Sequence, residues 1–157
     1  MTPHEFDFSS PEGVVIAAYA LLSGRAREPR DWTRFRSLYA PEARLICASG
    51  GGDVEGEVLT MEILDLDAYE RTRTLILAAT DFYEYEVARR VERLADVAHV
   101  WSAYEARHAP AGDVVLRGIN SIQLVRRGER WWILSAFWQR IRPDAVAPDA
   151  LLVRQGT

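Results

Sequence analysis

Residues 82–108 read FYEYEVARRVERLADVAHVWSAYEARH. Apolar and polar side chains alternate at a period of two on both sides of Ala95-Asp96, the pattern of two long strands joined by a tight turn. With a two-residue turn, Glu84, Glu86, Arg90, Trp101, Glu105 and Arg107 share one face, while Tyr83, Tyr85, Val87, Val91, Val100 and Tyr104 share the other. Glu86 is then expected opposite Glu105, and Glu84 opposite Arg107. Two close carboxylates beside a guanidinium could split their proton affinities, so Glu86 and Glu105 are candidates for a general acid or base. The competing reading is a solvated charged face.

The same period continues downstream. Val114–Arg126 and Arg130–Ile141 read as two more strands around Arg127-Gly128-Glu129. Alternation sets Asn120, Ile122 and Leu124 on one face, with Leu134, Ala136 and Trp138 beside them. Ser121, Gln123, Ser135, Phe137 and Gln139 form the other face. The turn at Ala109–Asp113 couples this pair to the first. A four-residue loop between His108 and Asp113 places Trp101 beside Asn120. A loop one residue shorter or longer places Ser102 and Tyr104 there instead, because a one-residue slip exchanges the faces. We expect Trp101, Glu105 and Arg107 on the face of Asn120.

Upstream the pattern is helical. Ser9-Ser10-Pro11-Glu12 is a helix start, with a serine cap, proline in the first turn and capping-box spacing from Ser9 to Glu12. Val14 to Leu22 is apolar almost all round, so this helix should be buried, and Gly24 stops it. Asp31 caps a short helix carrying Trp32, Phe35 and Leu38 or Tyr39, ended by Pro41. Ala43–Ala48 and Glu55–Ile63 read as extended segments around Gly50-Gly51-Gly52. Asp65 or Asp67 caps a third helix to about Ala79, with Leu66, Tyr69 and Ile76 inward. Helices in front and an antiparallel meander behind argue an α+β domain, its long strands too twisted to stay flat. One domain over residues 1–142 is expected, with a surface tail over 143–157 that holds Pro143-Asp144 and Pro148-Asp149.

Composition excludes several classes. The chain has 157 residues, 48% hydrophobic and 27% charged, with a net charge of −4, so it can bury a core and is not disordered. All 19 basic residues are Arg, which excludes lysine Schiff-base chemistry and a P-loop lysine. No basic stripe supports nucleic-acid binding. The longest low-charge run, Gly13–Gly24, is far short of the ~20 residues a membrane span needs. Cys47 is the only cysteine and no signal-peptide pattern precedes the first helix, so a reducing, cytoplasmic setting is expected. His4, His99 and His108 lack metal-ligand spacing, and neither a metal nor a cofactor is implied.

These features together resemble the nuclear-transport-factor-2-like superfamily, which includes ketosteroid isomerase, scytalone dehydratase and the SnoaL-like polyketide cyclases. The resemblance covers roughly residues 9 to 140. It is carried by the apolar first helix, the Trp32–Tyr39 segment leading into Pro41-Glu42-Ala43, and the strands Gly118–Gln123 and Arg130–Trp138. It implies a cone: a curved antiparallel sheet wrapped around helices, enclosing one hydrophobic pocket, with homodimers formed through the outer sheet face. In the isomerase pattern Tyr19 falls at the first-helix tyrosine, Tyr39 at the second, Asn120 at the second oxyanion donor and Cys47 at the aspartate general base. An amide can still donate to a carbonyl or oxyanion, whereas a thiol does not replace the carboxylate. Tyr19, Trp32, Tyr39, Trp101, Arg107, Asn120 and Trp138 are therefore the expected ligand-binding residues. Ser121, Gln123, Ser135 and Phe137 are the expected dimer face. The function implied is binding of a small hydrophobic molecule, with an isomerase, dehydratase or cyclase acting on a small carbonyl compound as the alternative.

Overall fold

The computed structural model describes residues 6–50 and 57–141, so the expected tail over 143–157 lies outside the described residues. Helix α1 (Pro11–Leu22) is capped by Ser10, whose hydroxyl accepts from the Gly13 N–H at 3.1 Å. The cap is one residue later than the Ser9 reading. Asp7 explains the shift: its carboxylate accepts from the Ser9 N–H at 2.9 Å, and from the hydroxyls of Ser9 and Ser10. Asp31 caps α2 (Trp32–Arg36) and Asp65 caps α3 (Leu66–Ala79), each satisfying an N–H that the first turn leaves unpaired. Arg30 closes the other end of α1. Its guanidinium donates to the carbonyls of Leu22, Gly24, Arg25 and Glu28 at 2.7–2.9 Å.

Six strands follow: β1 (Tyr39–Ser49), β2 (Thr60–Leu64), β3 (Tyr83–Leu94), β4 (Val97–Arg107), β5 (Val114–Arg127) and β6 (Arg130–Ile141). They form one sheet in the order β2-β1-β6-β5-β4-β3. The sheet is mixed, not wholly antiparallel. β1 runs parallel to β6, because the whole α3–β5 segment carries the chain across before it returns beside β1. Pro41 lies where the β1–β6 register slips, between Tyr39↔Ile133 and Arg44↔Ser135, a place where its missing N–H removes no ladder bond.

The first hairpin and the turn after it close as the alternation predicts, whereas the second hairpin closes one residue tighter, with Arg127 in the ladder and not in the turn; each pair then slips. Leu94 pairs with Val97 across the two-residue turn, Arg107 with Val114, and Arg127 with Arg130. Further along, an extra residue enters at Val87 in β3, at Val115 in β5 and at Leu134 in β6. Each such bulge bends its strand and exchanges the faces beyond it. The result is a curved sheet whose inner face holds α1, with α3 against β1 and β2.

Val14 and Val15 of α1, Phe35, Leu38, Leu45, Val100, Leu124 and Ile133 are almost fully buried at the centre. Leu134, expected inside with Ala136 and Trp138, is instead on the outer surface at 36% exposure, and Ile133 takes its place. On α3 the buried residues are Leu66, Tyr69 and Leu77, while Ile76 is half exposed.

Candidate functional site

A cavity of about 420 Å³ lies between the helices and the inner face of the sheet. Val15, Ala18 and Leu22 of α1 form one wall, Leu45, Ile122, Ile133, Ala136 and Trp138 another, and Tyr69, Ile76 and Leu77 of α3 a third. The lining is mostly apolar, with a few polar groups converging on it: Tyr19, Tyr39, Glu84, Tyr104 and Asn120, together with Arg73 and His108. Gly118 sits opposite Tyr104 in the β4–β5 ladder. A Cβ at Gly118 would stand 2.5 Å from the Tyr104 hydroxyl oxygen, so only glycine lets that ring lie over the strand.

The polar groups form a chain through the wall. Asn120 Nδ2 donates to the Tyr19 hydroxyl oxygen at 2.8 Å. Tyr19 Oη lies 2.7 Å from Ser102 Oγ, and Ser102 Oγ donates to Glu86 Oε2 at 2.5 Å. Arg89 Nε stands 2.9 Å from Glu86 Oε1. Ser102 is fully buried, and its bond to Glu86 and its bond to Tyr19 satisfy the hydroxyl as burial requires. Burial pushes the Tyr19 phenol well above its ordinary value, and the nearby Glu84 charge adds to this. Burial likewise raises the Tyr39 phenol. Burial also raises the Glu86 carboxyl, opposed in part by Ser102 and Arg89.

Of the residues singled out from the sequence, Tyr19, Tyr39, Asn120 and Trp138 line the cavity together. Trp32 stands behind the wall. Its ring meets Phe35 edge-on at 5.4 Å and Tyr69 at 6.4 Å, and Tyr69 in turn meets Trp138 at 6.2 Å. Trp101, Glu105 and Arg107 lie on the opposite face of the sheet. There Trp101 packs against His99, and Glu105 bridges Arg107 and Arg117 at 3.1 Å each. The bulge at Val115 is the reason: it pairs Ser102, not Trp101, with Asn120. The bulge at Val87 likewise sets Glu86 opposite Tyr104 and Glu84 opposite Ala106, so the expected Glu86–Glu105 and Glu84–Arg107 pairs do not form. Cys47 is buried opposite Trp138 but is absent from the cavity lining.

Three residues of the site were missed as such. Ser102 and Tyr104 belonged to the alternative loop register, their signal an undecided parity of the strand. Glu84 stood on the face expected inward but was not singled out for the site. Among the described residues no three His, Cys, Asp or Glu side chains group to hold a metal ion, and no helix is long and apolar enough to cross a membrane.

No family model matches the sequence, and no curated protein does. Solved structures do match in shape. A protein of unknown function with a cystatin-like fold from Nostoc punctiforme superposes with a TM-score of 0.63 at 9% identity, over 85% of this chain and 89% of that one. A nuclear-transport-factor-2-like protein of unknown function from Pseudomonas putida gives 0.61 at 11% identity, over 89% and 90%. A candidate scytalone dehydratase from Novosphingobium aromaticivorans gives 0.58 at 12% identity, over 83% and 80%. The curved mixed sheet, the helices packed in its concavity and these superpositions together show that the chain has the nuclear-transport-factor-2-like, cystatin-like α+β fold.

Proposed function

We propose that the cavity binds one small, largely apolar molecule that carries a hydrogen-bonding oxygen. The observation that supports this most is the convergence of Tyr19 and Asn120 in a mostly apolar chamber of about 420 Å³. Chambers of this size, lined by aromatic and aliphatic side chains with few polar groups, are the usual form of small-molecule sites. Trp138, Tyr39 and Ile122 supply contact area, with Trp32 buttressing Tyr69 from behind. The test is a thermal-shift screen of apolar ketones, phenols and lactones. A ligand at ~100 times its dissociation constant adds ~2.7 kcal/mol of stability. Asn120→Leu should weaken such a ligand while the protein stays folded; a variant that binds as well as the native chain refutes the role given to Asn120.

An enzyme of the isomerase, dehydratase or cyclase type is the second reading. Glu84 favours it, as the carboxylate that lines the cavity with Tyr19. The cysteine that stands at the isomerase's base position is outside the lining, so Cys47→Asp should bury a charge and destabilise the protein without creating activity. Glu84→Gln abolishing turnover of a ligand found in the screen would support catalysis.

We also propose a homodimer through the outer sheet face. Phe137 is 41% exposed there, beside Ser121, with Gln123 and Ser135 in the next cross-strand row. A neighbour of similar shape from Xanthomonas campestris is a candidate calcium/calmodulin-dependent protein kinase II association domain (TM-score 0.59, 15% identity). Sedimentation should give twice 17.8 kDa, and Phe137→Arg should return the monomer, since a buried unpaired charge is costly.

A further inference from the structure

The chain Asn120–Tyr19–Ser102–Glu86 has a direction, and that direction depends on one proton. Arg89 Nε can only donate, so Glu86 Oε1 must accept from it, leaving Oε2 to face Ser102. With Glu86 ionised, Oε2 accepts and the Ser102 hydroxyl proton is committed to it. Ser102 Oγ then accepts from Tyr19, so the Tyr19 proton points out of the cavity, into the wall. The Tyr19 oxygen keeps its lone pairs for the Asn120 amide. In this state Tyr19 offers a ligand no donor.

Adding one proton to Glu86 Oε2 reverses each bond in turn. The carboxyl donates to Ser102 Oγ, Ser102 donates to Tyr19 Oη, and the Tyr19 proton turns into the chamber. Tyr19 Oη then accepts twice, from Asn120 and Ser102, and donates once, which is its full capacity. No covalent bond beyond the new O–H is made or broken, and Glu86 passes from an anion to a neutral acid. We propose that Glu86 is the positioning residue that arms Tyr19, so that the cavity takes up a neutral carbonyl oxygen together with one proton.

The surroundings of Glu86 suit a group that changes charge. From α1 it faces Glu12 and Tyr19; Glu12 is itself paired with Arg93 at 2.5 Å. From its own strand Arg89 is its ion-pair partner, and Glu84 lies two residues away on the same face. From β4 it meets the hydroxyl of Ser102 and stands opposite Tyr104. Burial and Glu12 favour the neutral acid, while Arg89 and Ser102 favour the anion. Glu86 also lines a second, smaller recess with Ile16, Ala20 and Ser23, and its side chain keeps 12% of its surface exposed, enough to exchange a proton with solvent.

This inference rests on the reading of the cavity as a small-molecule site, and two independent measurements separate the two. The first needs no ligand. In protein labelled at the tyrosine Cζ carbon, the Tyr19 resonance is identified by its loss in Tyr19→Phe and followed with pH. It should shift with the titration of Glu86 in the native chain and stay fixed in Glu86→Gln. The amide introduced by Glu86→Gln accepts from Arg89 through its oxygen and must donate to Ser102 through its nitrogen, holding the armed state at every pH. Ser102→Ala should also abolish the shift, by cutting the chain. A Tyr19 resonance indifferent to pH in the native chain overturns the inference.

The second measurement uses 6-propionyl-2-(dimethylamino)naphthalene, an apolar ketone whose emission reports hydrogen bonding to its carbonyl. It should bind the native chain roughly fivefold to tenfold more tightly below the Glu86 titration than above it, the worth of one hydrogen bond. Above the titration, binding should take up about one proton, read by calorimetry in buffers of different ionisation enthalpy. Glu86→Gln should bind with a pH-independent affinity and take up none. Binding of the ketone without pH dependence or proton uptake overturns the inference and leaves the binding reading standing. Failure of the ketone to bind at any pH counts against the binding reading, whereas the labelled-tyrosine titration still decides the relay.

Discussion

Along β4, Ser102, Tyr104 and Ala106 turn inward and are buried, whereas Trp101, Glu105 and Arg107 at the alternate positions stay partly exposed on the outside. The inner set meets α1 and the chamber. The outer set is a conventional surface in which an aromatic ring lies on His99 and a carboxylate is held between two guanidiniums. By residue type the outer set looks the more like a binding site, since it contains a tryptophan, an acid and an arginine. The inner set has a serine, a tyrosine and an alanine. Chemistry-bearing residues are common on solvated faces; what makes a site is a polar group that burial forces into a definite hydrogen bond. Ser102 meets that condition, because its hydroxyl has no water to turn to.

The strongest way to break this contrast is to put an outer-face charge on the inner face. Ser102→Glu sets a second carboxylate against Glu86 at a fully buried position. Burying that charge should cost about 4 kcal/mol or more, seen as loss of the cooperative urea transition. A native-like transition would show that Ser102 does not face the interior. Next in size is a pair of truncations on β6. Ile133→Ala, on the inner face at 1% exposure, should lose about 2–5 kcal/mol. Phe137→Ala, on the outer face at 41%, should lose less than about 1 kcal/mol in the monomer. Equal losses would erase the distinction between the faces.

A smaller effect concerns Glu86, on the inner side of the hairpin. Burial raises Glu86 above the ordinary carboxylate value, so the folded state holds its proton more tightly than the unfolded state does. Stability from this group is therefore greatest below the ordinary carboxylate range and falls as pH rises toward the folded-state value. Chemical denaturation across pH should show Glu86→Gln gaining on the native chain as pH rises through that window; a constant difference would contradict the burial. The smallest change concerns the turn that anchors both faces. Ala95 has φ 52°, a left-handed conformation in which its Cβ is strained, and Ala95→Gly should stabilise by about 0.5–1 kcal/mol. A lower melting temperature would argue against that strain.

Much of this was open to reading in the chain. The helix caps at Asp31 and Asp65, the apolar run of α1 and the turn at Ala95-Asp96 are local features, set by neighbours a few residues away. The pairing Arg107↔Val114 follows from the loop length read at His108–Asp113. Tyr19, Tyr39, Asn120 and Trp138 followed from the resemblance, and they lie together at the cavity. Glu84 stood on the face expected inward with Trp101, Glu105 and Arg107; it does line the cavity, but the bulges at Val87 and Val115 replace those companions with Ser102, Tyr104 and Ala106.

What the sequence by itself determined is therefore the set of elements and the turns between them: hydrophobic period and capping chemistry act within a few residues, and the amino acids carry both. Only the tertiary structure decided which face of each strand looks inward. An unbroken strand of period two has two equivalent faces, and one extra residue at Val87, Val115 or Leu134 exchanges them. Such a residue looks like any other strand residue, and its position is set by the curvature the sheet must take to close over α1. The hydrogen-bond chain from Asn120 through Tyr19 and Ser102 to Glu86 joins residues up to 101 apart in the chain, so it exists only once that curvature has been made.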